Sequence, residues 1–274
     1  MINIFIAPTG LHSGLNSISL ALLHALDTQG IKASFFKPVS SYEEGETERS
    51  TQMVKQTYPL DPPNPMPLRQ AQKLISTGQT DRLLEDLVGL HYIATKGTEV
   101  TIIEGIAPDP SEPYTARINS EIAKALNADV ILVGSAENKT PREVQEDIDM
   151  NASLFGGFKQ GTIIGTIINK FGTPDQSHFL FSTSTETDEE RLNATPKITL
   201  EQGRLLGVIP WKRDLISPRT IDIANQLNAG ILNTGDIESR RVKTISMCAR
   251  TLPNLVDRFN AGTLIVAPGD RLDI

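Results

Sequence analysis

Residues 2–17 read INIFIAPTGLHSGLNS, and this stretch decides the fold. The apolar run from Ile2 to Ala7 predicts a buried strand, and Gly10 and Gly14 predict a loop. Apolar side chains at helical spacing follow Gly14 and predict a helix that begins near it. A strand, a glycine loop and a helix in this order are typical of a phosphate-binding loop, because the backbone N–H groups and the dipole at a helix start favour an anion.

The loop departs from the pattern of a nucleotide hydrolase. That pattern, G-x-x-x-x-G-K-[ST], places a lysine directly after the second glycine. Here the residue after Gly14 is Leu15, and the glycines are only four positions apart. The loop still offers polar and backbone groups for a nucleotide or a small anionic metabolite. The candidate binding residues are Thr9, Gly10, Ser13, Gly14, Asn16 and Ser17.

Short apolar strands alternate with helical segments along the rest of the chain, which predicts an α/β fold with a mostly parallel sheet flanked by helices. The further predicted strands are 31–39, 100–105, 129–134, 162–170 and 205–211. The predicted helices are 68–75, 81–94, 116–126, 141–155 and 218–227. After Asn228 the pattern starts again, with strands at 242–248 and 263–266 and a helix at 253–259. We therefore predict a P-loop-like domain over 1–230 and the beginning of a second α/β domain over 235–274.

Two stretches lack a regular pattern. Residues 40–67 begin with several glutamates and end with five prolines, which favours a solvated surface excursion. The alternative is a lid over the pocket near Gly10. Residues 171–196 are rich in Ser, Thr and acidic residues, and we expect a mobile loop there.

Polar residues stand at the ends of three predicted strands, where parallel sheets bind their ligands. Lys37 follows the second strand, Glu104 ends the third, and Asn169 ends a later one. A phosphate site needs backbone donors, a cation and usually a carboxylate that holds Mg²⁺. The glycine loop, Lys37 and Glu104 are the candidates for these three roles.

Composition excludes several classes of function. The formal net charge of −7, with no basic stripe, argues against binding nucleic acid. No apolar run reaches the ~20 residues of a membrane span, and no secretion signal is visible. The single cysteine, Cys248, excludes an internal disulfide and fits a reducing cytoplasm. The four histidines are scattered and do not form a zinc pattern.

The order of the motifs resembles the dethiobiotin synthetase-like group of P-loop proteins. The motifs are Pro8-Thr9-Gly10, Phe36-Lys37-Pro38-Val39, Glu104-Gly105, Asn169-Lys170 and Gly207-Val208-Ile209-Pro210-Trp211. The resemblance implies that Lys37 contacts substrate or phosphate and that Glu104 binds Mg²⁺. It also implies that Asn169 recognises a base.

A second resemblance covers the whole chain and points to the long form of bacterial phosphate acetyltransferase. It rests on the glycine loop and on residues 119–128, 235–243, 248–250 and 262–264. That enzyme interconverts acetyl-CoA and phosphate with acetyl phosphate and CoA. Its N-terminal P-loop-like domain is associated with regulation and hexamer stability, and Leu15 matches the usual residue of the family. The resemblance implies that this chain self-associates and ends within the middle domain, without the catalytic domain and without catalytic residues.

Three functions remain open. The chain is a regulatory and oligomerisation segment of phosphate acetyltransferase, an ATP-dependent ligase resembling dethiobiotin synthetase, or a scaffold whose pocket binds nothing. No cofactor follows with certainty, although a nucleotide or metabolite effector with Mg²⁺ is compatible with the loop. The missing lysine argues against the ligase, because charge stabilisation at a transferring phosphoryl group depends on such a cation.

Overall fold

The computed structural model describes residues 1–40, 48–108, 114–174, 188–248 and 260–270. The chain divides into two compact units. The first comprises Met1–Phe171 and Pro196–Ile209, and the second comprises Gly172–Thr195 and Pro210–Ile274. The predicted domain boundary between residues 230 and 235 stays a prediction.

The first unit is built on a six-stranded sheet. Its strands are β1 (Ile2–Pro8), β2 (Ala33–Phe36), β3 (Val100–Glu104), β4 (Asp129–Ser135), β5 (Ile163–Phe171) and β6 (Leu205–Pro210). They lie in the order β2-β3-β1-β4-β5-β6. β1 pairs in parallel with both β3 and β4, which places the glycine loop at the middle of the carboxyl edge of the sheet. The predicted fold class, a mostly parallel sheet with flanking helices, is confirmed.

Six helices accompany this sheet in the described part of the first unit. They are α1 (Leu15–Thr28), α2 (Arg49–Thr57), α3 (Leu68–Ser76), α4 (Thr80–Ala94), α5 (Tyr114–Ala125) and α6 (Pro141–Leu154). Helix α6 begins with the capping box that the sequence suggests, since Thr140 and Glu143 exchange side-chain and backbone hydrogen bonds. None of the described helices is long and apolar enough to cross a membrane.

Helices cover both faces of the sheet. Neighbouring residues of a strand point to opposite faces and therefore pack in two different hydrophobic clusters. Phe5 and Ala7 of β1 pack with residues of α3, α4, α5 and α6, whereas Ile6 packs with residues of α1 and α2. A strand buried on both faces is apolar along most of its length, which is why the central strands read as nearly continuous apolar runs. Full burial of each large side chain contributes roughly 1.5–3 kcal/mol.

The region 40–67 differs from its predicted form as a solvated excursion. It contains helix α2, whose side chains Ser50, Thr51 and Val54 are buried, and Glu48 just before the helix is buried too. Its end returns to the sheet edge, where Met66 N–H donates to the Pro38 carbonyl at 3.0 Å. The first glutamates of the region lie outside the described residues. This part of the chain is therefore packed structure beside the site.

The second unit contains α7 (Asp188–Ala194), α8 (Arg213–Ile216), α9 (Thr220–Gln226) and the parallel strands β7 (Thr244–Met247) and β8 (Thr263–Val266). Helix α7 interrupts the predicted loop 171–196, and residues 175–187 lie outside the described part. The buried Arg191 stacks over the Trp211 ring at 4.8 Å. The predicted strands near 242–248 and 263–266 are confirmed, and the predicted helix 253–259 lies outside the described residues.

Candidate functional site

The glycine loop leaves β1 in the centre of the sheet and ends at the start of α1. Thr9 N–H donates to the Val133 carbonyl at 3.0 Å, which ties the start of the loop to β4. Gly14 precedes α1 in the left-handed conformation with φ +80°, and no side chain caps the helix. The first intrahelical bond runs from Ile18 N–H to the Gly14 carbonyl at 3.1 Å. The amides at the helix start have no intrahelical acceptor, so they form a cradle for an anion.

Two asparagines hold the loop in place. Asn169 Nδ2 donates to the Ser13 carbonyl at 2.9 Å, and Asn151 Nδ2 donates to the Thr9 carbonyl at 3.0 Å. A Cβ atom at Gly14 would lie 2.2 Å from Asn169 Nδ2, so only glycine fits between this side chain and the helix start. The structure thus brings Asn169 to the glycine loop, as the sequence predicts. Asn151 was not predicted, since an asparagine on a helix carries no special signal.

The residues after Gly14 do not supply a cation. Leu15 is only 8% exposed and packs in the apolar core between the sheet and α1. Asn16 occupies the position where the hydrolase pattern has a hydroxyl residue for Mg²⁺, and it is half-buried. Ser17 is exposed, whereas Thr9 and Ser13 are buried. The leucine is a core residue, and the loop offers backbone donors rather than charge.

Lys37 and Glu104 meet at the neighbouring end of the sheet. Lys37 Nζ lies 2.6 Å from Glu104 Oε1. The register Phe36↔Ile103 explains this contact, because it places the residues that follow this pair, Lys37 and Glu104, side by side. Lys37 is 3% exposed and Glu104 is 0% exposed, so the pair is buried. The sequence predicts both residues at this edge, but the structure pairs them with each other.

Ser50 of helix α2 and Glu48, just before the helix, complete this buried cluster, and sequence reasoning missed both. Ser50 Oγ donates to Glu104 Oε1 at 2.6 Å, and Glu48 Oε1 lies 3.7 Å from Lys37 Nζ. Glu48 also caps α2, since its carboxylate accepts from the backbone N–H groups of Ser50 at 3.0 Å and Thr51 at 2.7 Å. The sequence sign of a helix start here is a carboxylate two residues before Ser50-Thr51.

The pKa of Glu48 reflects these contacts. Burial by itself raises the pKa of this carboxyl, but the Lys37 ammonium and the hydrogen bonds from Thr51 and Ser50 hold the pKa below its usual value. A depressed folded-state pKa means that ionised Glu48 stabilises the fold above its unfolded pKa of about 4.3. This stabilisation is lost as the pH falls through the folded-state pKa.

We expect Glu48→Gln to lower the free energy of unfolding at pH 7 by about 1–2 kcal/mol, because it weakens the cap and removes the charge next to Lys37. The difference from wild type should shrink as the pH falls below about 4. Urea unfolding between pH 3 and pH 7 measures it, with the exposed Glu85→Gln as the control. A difference that stays constant down to pH 3 would contradict the assignment.

The residues at Glu104 do not fit the magnesium ion that the resemblance implies. The Lys37 ammonium already contacts one carboxylate oxygen, and a divalent cation next to it would be repelled. Within the described residues, no group of three or more His, Cys, Asp or Glu side chains is arranged to hold a metal. The magnesium role of Glu104 therefore stays a prediction that the geometry does not favour.

A central β1, a glycine loop and a helix start without a side-chain cap define the class of this protein: an α/β protein of the phosphate-binding-loop type. Residues 3–219 match the AAA domain family, and the chain belongs to that family. Residues 222–274 match the DRTGG domain.

The chain is similar to bacterial phosphate acetyltransferases, which confirms the resemblance seen in its sequence. It is 42% identical over 273 residues to that of Pseudomonas aeruginosa and 34% identical over 282 residues to that of Escherichia coli. These alignments cover 98% and 99% of this chain but only 38% and 40% of the relatives. A solved plasmid partition protein of Borrelia burgdorferi, bound to AMPPNP, is 17% identical with a TM-score of 0.44, covering 87% of this chain and 94% of that one.

Proposed function

We propose that this chain is the regulatory and oligomerisation part of a phosphate acetyltransferase, the enzyme that interconverts acetyl-CoA and phosphate with acetyl phosphate and CoA. The observation that carries the proposal is the glycine loop, which keeps an anion cradle while Leu15 fills the place of the catalytic cation. Similarity to phosphate acetyltransferases over 98% of this chain supports the assignment to that enzyme. Such a site binds but does not transfer phosphoryl groups.

The ligand of this site is a small anionic metabolite. The amides at the start of α1 donate to its anionic group, and the helix dipole favours the negative charge. Asn169 lies against the loop, and its Oδ1 accepts from Lys170 N–H at 2.8 Å. This combination favours carboxylates and phosphates over neutral compounds.

An ATP-dependent ligase is the other candidate, and the geometry disfavours it. Transfer of a phosphoryl group needs a cation at the loop to stabilise the developing charge. Leu15 cannot supply it, and the Lys37 ammonium contacts the Glu104 carboxylate. Mg²⁺-dependent ATP turnover by the pure protein would overturn the regulatory proposal.

We expect Gly14→Ala to abolish metabolite binding, because the added methyl group displaces Asn169 and reshapes the helix start. Calorimetry with ATP, NADH, acetyl-CoA and pyruvate, each with and without Mg²⁺, measures binding to wild type and variant. Gly97→Ala is the matched control, since Gly97 has the same φ of +80° but open space around it. Both substitutions cost about 1–2 kcal/mol of stability through left-handed strain.

The control separates loss of the site from loss of the fold. Binding that disappears in Gly14→Ala and persists in Gly97→Ala supports the proposal. Binding that survives unchanged in Gly14→Ala places the ligand elsewhere, and no binding of any anion by wild type identifies an empty scaffold.

Self-association and a cytoplasmic location belong to the same proposal. The similarity to phosphate acetyltransferases supports both. The single cysteine of the sequence supports the location, because it fits a reducing compartment. Sedimentation velocity over a range of protein concentrations tests the first of them. A chain that remains monomeric at high concentration would remove the oligomerisation role.

A further inference from the structure

Two carboxylate oxygen atoms approach one ammonium group at the carboxyl end of β3. Lys37 Nζ is 2.6 Å from Glu104 Oε1 and 3.7 Å from Glu48 Oε1. Ser50 Oγ lies 2.6 Å from the same Glu104 oxygen. All four residues are buried. Two carboxylates therefore lie beside a cation that is part of the chain itself, and a hydroxyl group donates to one of them.

These oxygen atoms are also the ligands that Mg²⁺ and Mn²⁺ prefer. The cluster has spare capacity to accept, because Glu104 Oε2 is buried without a hydrogen-bond partner among the described residues. Glu104 and Glu48 carry two negative charges when ionised, whereas Lys37 supplies one positive charge. The oxygen set thus resembles a divalent-cation site whose position is filled by the lysine side chain.

We infer that the Lys37 ammonium is a built-in substitute for a divalent cation, so that the wild-type chain holds no metal at Glu104 and removal of the ammonium creates a metal site. A divalent ion bound to Glu104 would lie within about 5 Å of the ammonium in a buried environment, where like charges repel strongly. Without the ammonium, the same two carboxylates attract the ion. This inference does not depend on any ligand of the glycine loop.

Titration of the 274-residue chain with Mn²⁺, followed by the loss of the free-ion signal in electron paramagnetic resonance, tests the inference. We expect no stoichiometric Mn²⁺ site in wild type and one site in Lys37→Met, tighter than any wild-type binding by at least about tenfold. Lys139→Met is the matched control, because Lys139 forms a partly exposed pair with Asp147 and its loss changes the net charge equally. Like wild type, Lys139→Met should show no stoichiometric Mn²⁺ site.

Two results would overturn the inference. The first is a one-to-one Mn²⁺ site in wild type that Glu104→Gln removes, and this comparison decides the matter even if Lys37→Met does not fold. The second is a Lys37→Met protein with wild-type circular dichroism that gains no site. Neither readout involves metabolite binding, so the regulatory proposal can fail separately.

Discussion

Lys37→Met is expected to lower the free energy of unfolding by about 3–5 kcal/mol when measured in the presence of a metal chelator. The substitution keeps a long unbranched side chain but removes the charge that compensates Glu104, which is 0% exposed. The buried Glu104 carboxylate then lacks its compensating charge, and Glu48 loses an ionic partner. Urea unfolding in EDTA at pH 7 measures the effect.

The double variant Lys37→Met/Glu104→Met is the control for this prediction. It removes both members of the buried pair, and replacing such a pair by apolar groups is often neutral. We expect it to be more stable than Lys37→Met alone, although Ser50 loses the acceptor of its hydroxyl group. If the double variant is less stable than Lys37→Met, the loss of stability in Lys37→Met does not come from the uncompensated charge of Glu104.

Leu15→Lys, which restores the lysine of the hydrolase pattern, is expected to cost about 3 kcal/mol of stability and to give no ATP hydrolysis. Leu15 is 8% exposed and packs against the sheet, so the variant loses the burial of a leucine and brings a charge toward the core. Thermal and urea unfolding measure the loss, and phosphate release measures turnover.

Leu15→Met serves as the matched control because it conserves apolar volume, and it should cost less than about 1.5 kcal/mol. A Leu15→Lys protein that is as stable as wild type and that binds ATP would show that this side chain can point into the loop. That outcome would contradict the description of Leu15 as a core residue.

The sequence predicts the glycine loop and the strands well because their signals are local. Apolar runs bounded by glycine or proline mark β1, β3, β4 and β5, and Thr140-Pro141 with Glu143 marks the start of α6. Helix α2 escaped prediction because its buried side includes Ser50 and Thr51. A periodicity of apolar residues cannot reveal a helix that buries polar side chains.

The candidate site, too, was predicted from the sequence only in part. Thr9, Gly14 and Asn169 were predicted near one another, and the structure places the Asn169 side chain against the loop. The roles of Lys37 and Glu104 were predicted by analogy with a phosphate and metal site. Their mutual contact depends on the register of β2 against β3, which joins residues 67 positions apart. No local pattern carries that information.

The sequence by itself determined the α/β class, the glycine loop and the absence of its lysine, since each follows from a few neighbouring residues. Tertiary structure alone decided that β2 lies beside β3, that Lys37 pairs with Glu104, and that α2 brings Ser50 to the same carboxylate. The physical reason is that strand order and register are set by packing between distant segments. The charge of a lysine can be read from the sequence, but the group that it neutralises is chosen by the fold.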